Sequence, residues 1–413
     1  MTDTTYDRPR LRSEVVLGPA LRSGPRTVHH VKDARTGGYY RVGPREHFLM
    51  GLMDGRHTLA DIGRRYTEVY DRRLGPEHWQ QVFTLLGRYQ LLDGHADDAG
   101  LDQLKQAYEG KQSAQQGWLR RRWVLLSPDP LCATLARRLA FAFHAAFLVP
   151  AFVLVVAVQV FVWTHVATLT HEATHQKSRA ITLLLSALVL WGITVLHEFA
   201  HGVTCRHFGG TVTEIGLSWR FPLLTPYCRT DDIVLFQRRR DRVGTAFAGV
   251  FVSLLALAPV VVWWWLSGDG VLGRPLAAGL LLFGSGAAVM NLLPILRSDG
   301  YVMLTHALNI ADLRRESYRF WQLKLRRRDP AARERLSGYP PRDIRAYAVY
   351  GVVSLLLLLS AYGALMWVWF SSLQHWVGPV WAVTILGAET AAVAGILSLA
   401  ARGRSGRRRA ADG

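Results

Sequence analysis

The stretch "TVLHEFAHGVTCRHFGG", residues 194–210, sets two histidines and a carboxylate within an otherwise apolar run. His197 and His201 are four residues apart, so their side chains share one face of a helix. Glu198 follows the first histidine, where its carboxylate can reach water on a metal held by the pair. Ionisable residues are costly in a membrane span and usually indicate function. The stretch therefore predicts a metal site on a membrane helix. A buried polar cluster accounts for one histidine but poorly for the triplet.

The apolar residues around this stretch fall in long blocks rather than in the short periodic patterns of a soluble domain. Hydrophobic residues make up 50% of the 413 residues. A helix of about 20 apolar residues spans a bilayer core. Runs of that length lie near 139–163, 180–203, 243–266, 275–296, 345–370 and 378–400. The sequence predicts a polytopic α-helical membrane protein with about six transmembrane helices. These form a domain over 118–405, which a basic tail over 406–413 follows.

The formal net charge is +18, and the basic residues are concentrated in alternate loops. "RRR" at 120–122 precedes the first apolar run, "RRRDR" at 238–242 the third, and a basic segment over 314–345 the fifth. Because Lys and Arg accumulate on the cytoplasmic side, we expect a multi-pass protein of the cell membrane with both termini in the cytoplasm. Topology and anionic lipid headgroups account for the charge. The sequence lacks the basic and aromatic pattern of an RNA or DNA module, so we expect no nucleic-acid partner.

The cysteines and residues 1–30 bear on disulfide formation and on secretion. Cys132, Cys205 and Cys228 all fall at the predicted reducing face, so a disulfide framework is not expected. Residues 1–30 contain no apolar core of the length that a cleavable signal peptide requires.

The pattern of residues 1–117 predicts a cytoplasmic α+β domain with a linker. "TVHHVKD" and "GGYYRV" indicate a hairpin, and three apolar patterns of helical spacing follow. This order favours a small winged-helix-like fold. "RVGPREHFLMGLMDGRHTLADI" and "VFTLLGRYQLLDG" resemble the peptide chaperone of pyrroloquinoline quinone synthesis and related recognition elements for ribosomally made, modified peptides. The resemblance implies that a leader peptide adds as a strand beside the hairpin. A regulatory or assembly domain is the alternative, since fold does not fix function.

A catalytic zinc site needs a third protein ligand and one open position for water. The candidates are Cys205, Asp231, Asp232 and Asp299. Cys205 lies too far along its own helix for metal bonds near 2 Å. The two aspartates of "CRTDD" lie among charged residues, where solvated carboxylates are ordinary. Asp299 ends the fourth apolar run at the depth of the histidines, and a nearby proline and glycine can break the helix there. Asp299 is therefore the favoured ligand.

The motifs "HEFAHGVTCRHFGG", "PYCRTDD", "FAGV" and "NLLPILRSDGY" follow one another between about 180 and 305. Together they resemble the site-2 family of intramembrane zinc metalloproteases, most of all the peptide zinc metalloproteases of modified-peptide pathways. The resemblance implies that Zn²⁺ is the cofactor, with ligands His197, His201 and Asp299. It further implies that Glu198 is the general base and that Asn291 helps to hold the substrate.

A second His-Glu-x-x-His sequence occurs in "LTHEATHQ", with His171, Glu172 and His175. Its spacing equals that of the first. It falls in a polar stretch on the predicted outer face, and no matched acidic motif accompanies it. We interpret it as a solvated loop, or at most an adventitious metal site.

Apolar residues between the histidine and aspartate motifs alternate with small or polar ones, which is the period of a strand. These are Ile215, Leu217, Trp219 and Phe221. A strand edge there can hold a substrate extended for attack. An aromatic anchor at the membrane interface fits the same pattern equally well.

These patterns predict a zinc endopeptidase that cleaves a peptide at the cytoplasmic membrane face, in the removal of a leader from a ribosomally made peptide. The expected partners are a precursor or membrane peptide, the lipid bilayer and other enzymes of the modification pathway. Two alternatives remain. One is regulated proteolysis of a membrane-anchored signalling protein, and the other is a non-proteolytic scaffold or immunity protein that binds a peptide.

Overall fold

The structure, a computed structural model, is mostly helical and describes residues 7–94, 96–113, 120–174, 179–220, 223–270, 272–294 and 298–409. Its contacts divide the chain into two compact units, Met1–Ile344 and Arg345–Gly413. The first unit contains the N-terminal sheet, most of the apolar helices and the predicted metal ligands.

The N-terminal part of the first unit is a small α+β layer structure. Its three antiparallel strands pair in the order β1-β2-β3 and are β1 (Val15–Ser23), β2 (Arg26–Asp33) and β3 (Gly38–Val42). Its three helices are α1 (Pro44–Leu52), α2 (Leu59–Tyr70) and α3 (Pro76–Arg88). Proline at the first position of α1 and α3 favours their starts, and Thr58 and Asp61 form a capping box at α2. The predicted hairpin and three helices are confirmed, and β1 is an additional strand.

One face of this sheet packs on its own helices. Val31 of β2 is fully buried in a cluster with Leu49, Ile62 and Leu86, one residue from each helix. Such burial of apolar surface is the main force that stabilises the domain. The opposite face carries polar side chains that bond to the rest of the first unit.

A second three-stranded antiparallel sheet packs against α8 (Arg179–His207) through its last strand. Its strands are β4 (Arg120–Leu126), β5 (Ile215–Arg220) and β6 (Leu223–Cys228), in the order β4-β5-β6. The helix α4 (Asp98–Ser113) precedes it in the segment that the sequence predicts as a linker or juxtamembrane helix. The "RRR" that the sequence analysis treats only as a topology marker lies at the start of β4.

The remaining elements of the first unit are helical. They are α5 (Asp129–Arg138), a 3-10 helix (Ala140–Phe143), α6 (Ala145–Thr164), α7 (Val166–Thr174), α8 (Arg179–His207), a 3-10 helix (Asp231–Leu235), α9 (Arg239–Leu255), α10 (Ala258–Leu266), α11 (Arg274–Leu292), α12 (Asp299–Leu308), α13 (Leu313–Leu325) and α14 (Pro330–Ser337). A core of buried aliphatic residues joins α6, α7, α9, α10 and α11.

Five helical segments in the described part of the chain are long and apolar enough to cross a membrane. They are Ala145–Thr164, Ala180–His207, Arg239–Leu266, Arg274–Leu292 and Pro341–Val377. Only 11% to 50% of the most apolar window of each is buried, so much of their apolar surface is exposed, as a lipid environment requires. The third segment comprises two helices, because the α-helix is interrupted between α9 and α10, just before Pro259.

The second unit contains most of α15 (Pro341–Val377) and all of α16 (Pro379–Arg409). The hydroxyls of Tyr362 and Thr390 lie 2.6 Å apart and join the two helices. The sixth predicted span, near 378–400, lies on α16 but is not among the five segments. The prediction of about six spans is therefore reduced to five for the described residues.

Candidate metal centre

Three predicted ligands converge at one point between α8 and α12. The Nε2 atom of His197 lies 2.9 Å from Oδ2 of Asp299, and Nε2 of His201 lies 3.3 Å from the same oxygen. The two Nε2 atoms are 3.2 Å apart. In the part of the chain that the structure describes, this is the one cluster of three or more His, Cys, Asp or Glu side chains whose ligand atoms lie within 4.8 Å of one another. These three residues can hold a metal ion.

Helix α9 orients both imidazole rings through contacts with their Nδ1 atoms. Nδ1 of His197 lies 3.0 Å from the hydroxyl oxygen of Ser253, and Nδ1 of His201 lies 2.7 Å from the carbonyl oxygen of Thr245. A ring whose Nδ1 is bonded in this way presents its Nε2 to a metal. The sequence alone indicates neither Ser253 nor Thr245. A single hydroxyl or a backbone carbonyl follows no sequence pattern that identifies it as the partner of a histidine.

The start of α12 brings Asp299, its first residue, to the histidines. Ser298 caps α12 by accepting a hydrogen bond from the backbone N–H of Tyr301. A side chain at Gly300 would collide with the backbone carbonyl of Leu292, so only glycine lets the two helices approach so closely. Burial by itself raises the pKa of Asp299, but hydrogen bonds from the histidines outweigh it and hold that pKa below its usual value.

Asn291 is in direct contact with Asp299. It is the last residue but one of α11. Its Nδ2 donates to Oδ2 of Asp299 over 2.6 Å, and its Oδ1 accepts from the Asp299 backbone N–H over 3.3 Å. The structure thus places the predicted substrate-holding residue beside the ligand cluster, 3.5 Å from Nε2 of His197. Its role toward a substrate stays a prediction.

The space that a metal needs is kept open by a glycine of α9. A methyl group on Gly249 would press into the Nε2 atoms of both His197 and His201. Gly249 belongs to the "FAGV" motif, and a side chain there would fill the position where an ion contacts the two imidazoles. The donor atoms are two imidazole nitrogens and a carboxylate oxygen, and Gly249 leaves room for an ion beside them. Such a site fits a tetrahedral divalent cation such as zinc.

Glu198 is fixed by the second sheet. Its Oε2 accepts a hydrogen bond of 2.8 Å from the backbone N–H of Cys228, the last residue of β6. Burial, and then the nearby Glu198 carboxylate, raise the pKa of the Cys228 thiol, which therefore stays protonated at neutral pH. Cys228 is a further residue of the site that the sequence does not indicate, since its contribution is a backbone group.

The other candidate ligands lie outside the cluster. Cys205 is buried beside Gly210. Asp231 bonds to Nε of Arg229 over 2.6 Å. The prediction that Asp232 is solvated is wrong, because it is 4% exposed and Lys32 lies 2.7 Å away.

The second His-Glu-x-x-His sequence is helical where it is described. The expectation of a loop is wrong for His171 and Glu172, which lie on α7 against α11. Oε2 of Glu172 accepts a hydrogen bond of 2.5 Å from the indole of Trp264. His175 lies outside the described residues.

The predicted strand is β5, but it is not an edge strand. β5 pairs with β4 on one side and with β6 on the other, so its backbone is used on both sides. Ile215 is buried, Leu217 and Trp219 are half-buried, and Phe221 lies outside the described residues. The free edges of this sheet belong to β4 and β6.

Comparisons with protein-family models, with curated proteins and with solved structures find no match for this chain. The assignment of the site therefore rests on its own geometry: two imidazoles and a carboxylate that converge, a carboxylate next to them, and a glycine that leaves room for an ion.

Proposed function

We propose that this chain is a membrane-embedded zinc endopeptidase that cleaves a peptide at the cytoplasmic face of the cell membrane. The observation that carries the proposal is the convergence of His197, His201 and Asp299 directly beside Glu198. Two histidines and one carboxylate, with a further position left open, form the ligand set of many zinc peptidases.

The chemistry follows from the placement of these groups. Zinc, when bound, supplies Lewis-acid polarisation of water and of the scissile carbonyl. Glu198 takes a proton from the attacking water and returns it to the leaving amine. The N–H of Cys228 holds one oxygen of that carboxylate in place. Ser253 and Thr245 keep the imidazoles turned toward the centre.

The apolar helices support a membrane location. Exposed apolar side chains cover α6 and α8, with Val153 61% and Leu184 70% exposed. A soluble monomer rarely leaves such surface uncovered. His197 and His201 lie in the C-terminal half of the segment Ala180–His207, which favours access of water from the nearer membrane surface. The distribution of basic residues favours the cytoplasmic side for that surface.

A strand edge beside the catalytic helix supports a peptide as the substrate. Pro226 has no N–H to give to β5, and with Leu224 and Cys228 it points its backbone polar groups away from β5. That outer edge faces α8, because the carbonyl of Leu224 accepts from the Trp191 indole. A peptide added along β6 would run toward Glu198 and would have to displace the Trp191 indole from the Leu224 carbonyl.

The N-terminal domain supports a leader peptide as the recognised part of the substrate. β3 is an edge of the first sheet and adjoins the C-terminal end of α3, because Tyr40 of β3 contacts Tyr89, the residue that follows the helix, with ring centroids 4.1 Å apart. Strand addition at such an edge, next to a helix, is a common mode of peptide recognition. The substrate is then a precursor peptide whose leader is removed.

The test uses the full chain in lipid vesicles with zinc and the short peptides encoded beside its gene, with products weighed by mass spectrometry. We expect a single cleavage that is lost in Glu198→Gln while zinc content is kept. Glu172→Gln, the same change in the second motif, is the matched control and should keep the cleavage.

Full turnover by Glu198→Gln would contradict the mechanism. Binding of a peptide without cleavage by the wild-type chain would favour the non-proteolytic scaffold. Cleavage of membrane-anchored proteins alone would favour regulated intramembrane proteolysis.

A further inference from the structure

The N-terminal sheet bonds to the chain segments that carry both acidic residues of the metal centre. Two clusters of residues make these bonds, and the Lys32 and Asp232 side chains of the first are buried. We name them the Asp232 clamp, which comprises Lys32, Tyr39, Thr211 and Asp232, and the Asn309 clamp, which comprises Ala20, Arg242 and Asn309.

In the Asp232 clamp, three residues bond to the buried carboxylate of Asp232. Nζ of Lys32, on β2, lies 2.7 Å from Oδ1 and 2.8 Å from Oδ2. The Tyr39 hydroxyl, on β3, donates to Oδ1. Thr211 donates to Oδ2 through its backbone N–H over 2.7 Å and its hydroxyl over 2.9 Å. Lys32 and Asp232 are each 4% exposed, so loss of one partner leaves a buried charge unpaired.

Along the chain, the Asp232 clamp lies close to the ends of the two elements that position the general base Glu198. Asp232 follows Cys228, whose N–H holds Glu198, by four residues. Thr211 follows the last residue of α8, the helix that carries Glu198, also by four. The sheet therefore fastens both the helix that bears the carboxylate and the strand end that orients it.

The Asn309 clamp acts on the other acidic residue. Asn309 ends α12 in the left-handed conformation, with φ of 57°. Its Nδ2 donates to the carbonyl of Ala20 on β1 over 2.7 Å, and its Oδ1 accepts from Nη2 of Arg242 over 2.6 Å. Its own carbonyl accepts from the backbone N–H of Arg22 over 3.1 Å. Asp299 is the first residue of the same helix, about 15 Å away by the helical rise.

We propose that Asp232 and Asn309 are positioning residues through which the N-terminal sheet holds Glu198 and Asp299 in their reactive arrangement. This inference rests on the proposed function. The N-terminal domain then sets the turnover rate as well as the capture of substrate, because the catalytic geometry depends on contacts that the sheet makes. A domain that only captured a peptide would affect KM and leave kcat alone.

The test compares three variants of the full chain in vesicles. Asp232→Asn keeps the shape of the side chain and removes the charge opposite Lys32. Asn309→Gly removes both side-chain bonds and keeps the left-handed backbone that glycine favours. Asp231→Asn changes the neighbouring carboxylate, which bonds to Arg229, and is the matched control.

We expect Asp232→Asn to lower kcat about 10- to 100-fold with KM within about twofold and unchanged zinc affinity, since misplacing a reacting group slows the chemical step. Asn309→Gly should lower kcat and also weaken zinc binding about 10-fold, since it loosens the helix of a ligand. Asp231→Asn should match the wild type. If Asp232→Asn does not fold, Tyr39→Phe removes a single bond to the same carboxylate and should give a smaller fall in kcat.

A raised KM at unchanged kcat in the Asp232 and Asn309 variants would overturn the inference, as would unchanged kinetics. If the wild-type chain cleaves nothing, the proposed function fails instead. The zinc affinity of Asn309→Gly, measured by competition with a chelator, then still decides whether the sheet positions Asp299: a tenfold loss supports the clamp and wild-type affinity rejects it.

Discussion

Gly249→Ala should weaken metal binding without removing any ligand. The added methyl would overlap the Nε2 atoms of His197 and His201. The helix itself should tolerate the change, since alanine is a better helix former than glycine by about 1 kcal/mol. An extra methyl group in a tightly packed site costs about 1 to 3 kcal/mol. We expect this cost to destabilise the metal-bound state of the site. Zinc affinity should therefore fall about 5- to 150-fold.

The assay is chelator competition on purified protein, with thermal unfolding measured in parallel. Gly244→Ala, on the same helix, is the matched control, because its methyl would meet only the Phe208 ring, at an ordinary contact distance of 3.8 Å. We expect wild-type zinc affinity in the control and unimpaired folding in both variants. Wild-type zinc affinity in Gly249→Ala, or an equal loss in Gly244→Ala, would refute the reasoning.

Three further outcomes are expected. His171→Ala should leave zinc content unchanged by metal analysis, because α7 stands apart from the ligand cluster. Asp33→Asn should lower the stability of the full chain by about 3 to 5 kcal/mol in thermal unfolding, since it breaks the buried ion pair of 2.6 Å with Arg12. Burial lowers the pKa of His30 and His306 to about 4. The unfolded chain takes up these protons near pH 6.5. Stability is therefore full above that pH and falls toward pH 4 by up to about 3 kcal/mol per histidine, and His306→Asn should flatten the fall.

The features that the sequence predicted correctly depend on near neighbours in the chain. The helical period places His197 and His201 on one face whatever the rest of the chain does. The hairpin of β2 and β3 follows from two alternating segments with a short turn between them. The end of α11 and the start of α12 at Asp299 are indicated by the proline and glycine nearby.

The features that the sequence missed depend on partners far along the chain. β4 pairs with a strand about 90 residues later, and its arginines by themselves indicate only membrane topology. Asp232 looks solvated among charged neighbours, but it is buried because Lys32, 200 residues earlier, neutralises it. No local pattern of charge or hydropathy shows such pairings.

Zinc X-ray absorption on the full chain tests the central claim most directly. We predict one zinc ion per chain, held by nitrogen and oxygen at about 2.0 to 2.2 Å, with the zinc content or the imidazole signal reduced in His197→Ala. A sulfur shell near about 2.3 Å would instead indicate a cysteine ligand such as Cys205. That result, or zinc that persists unchanged in both His197→Ala and Asp299→Ala, would contradict the assignment of the metal centre.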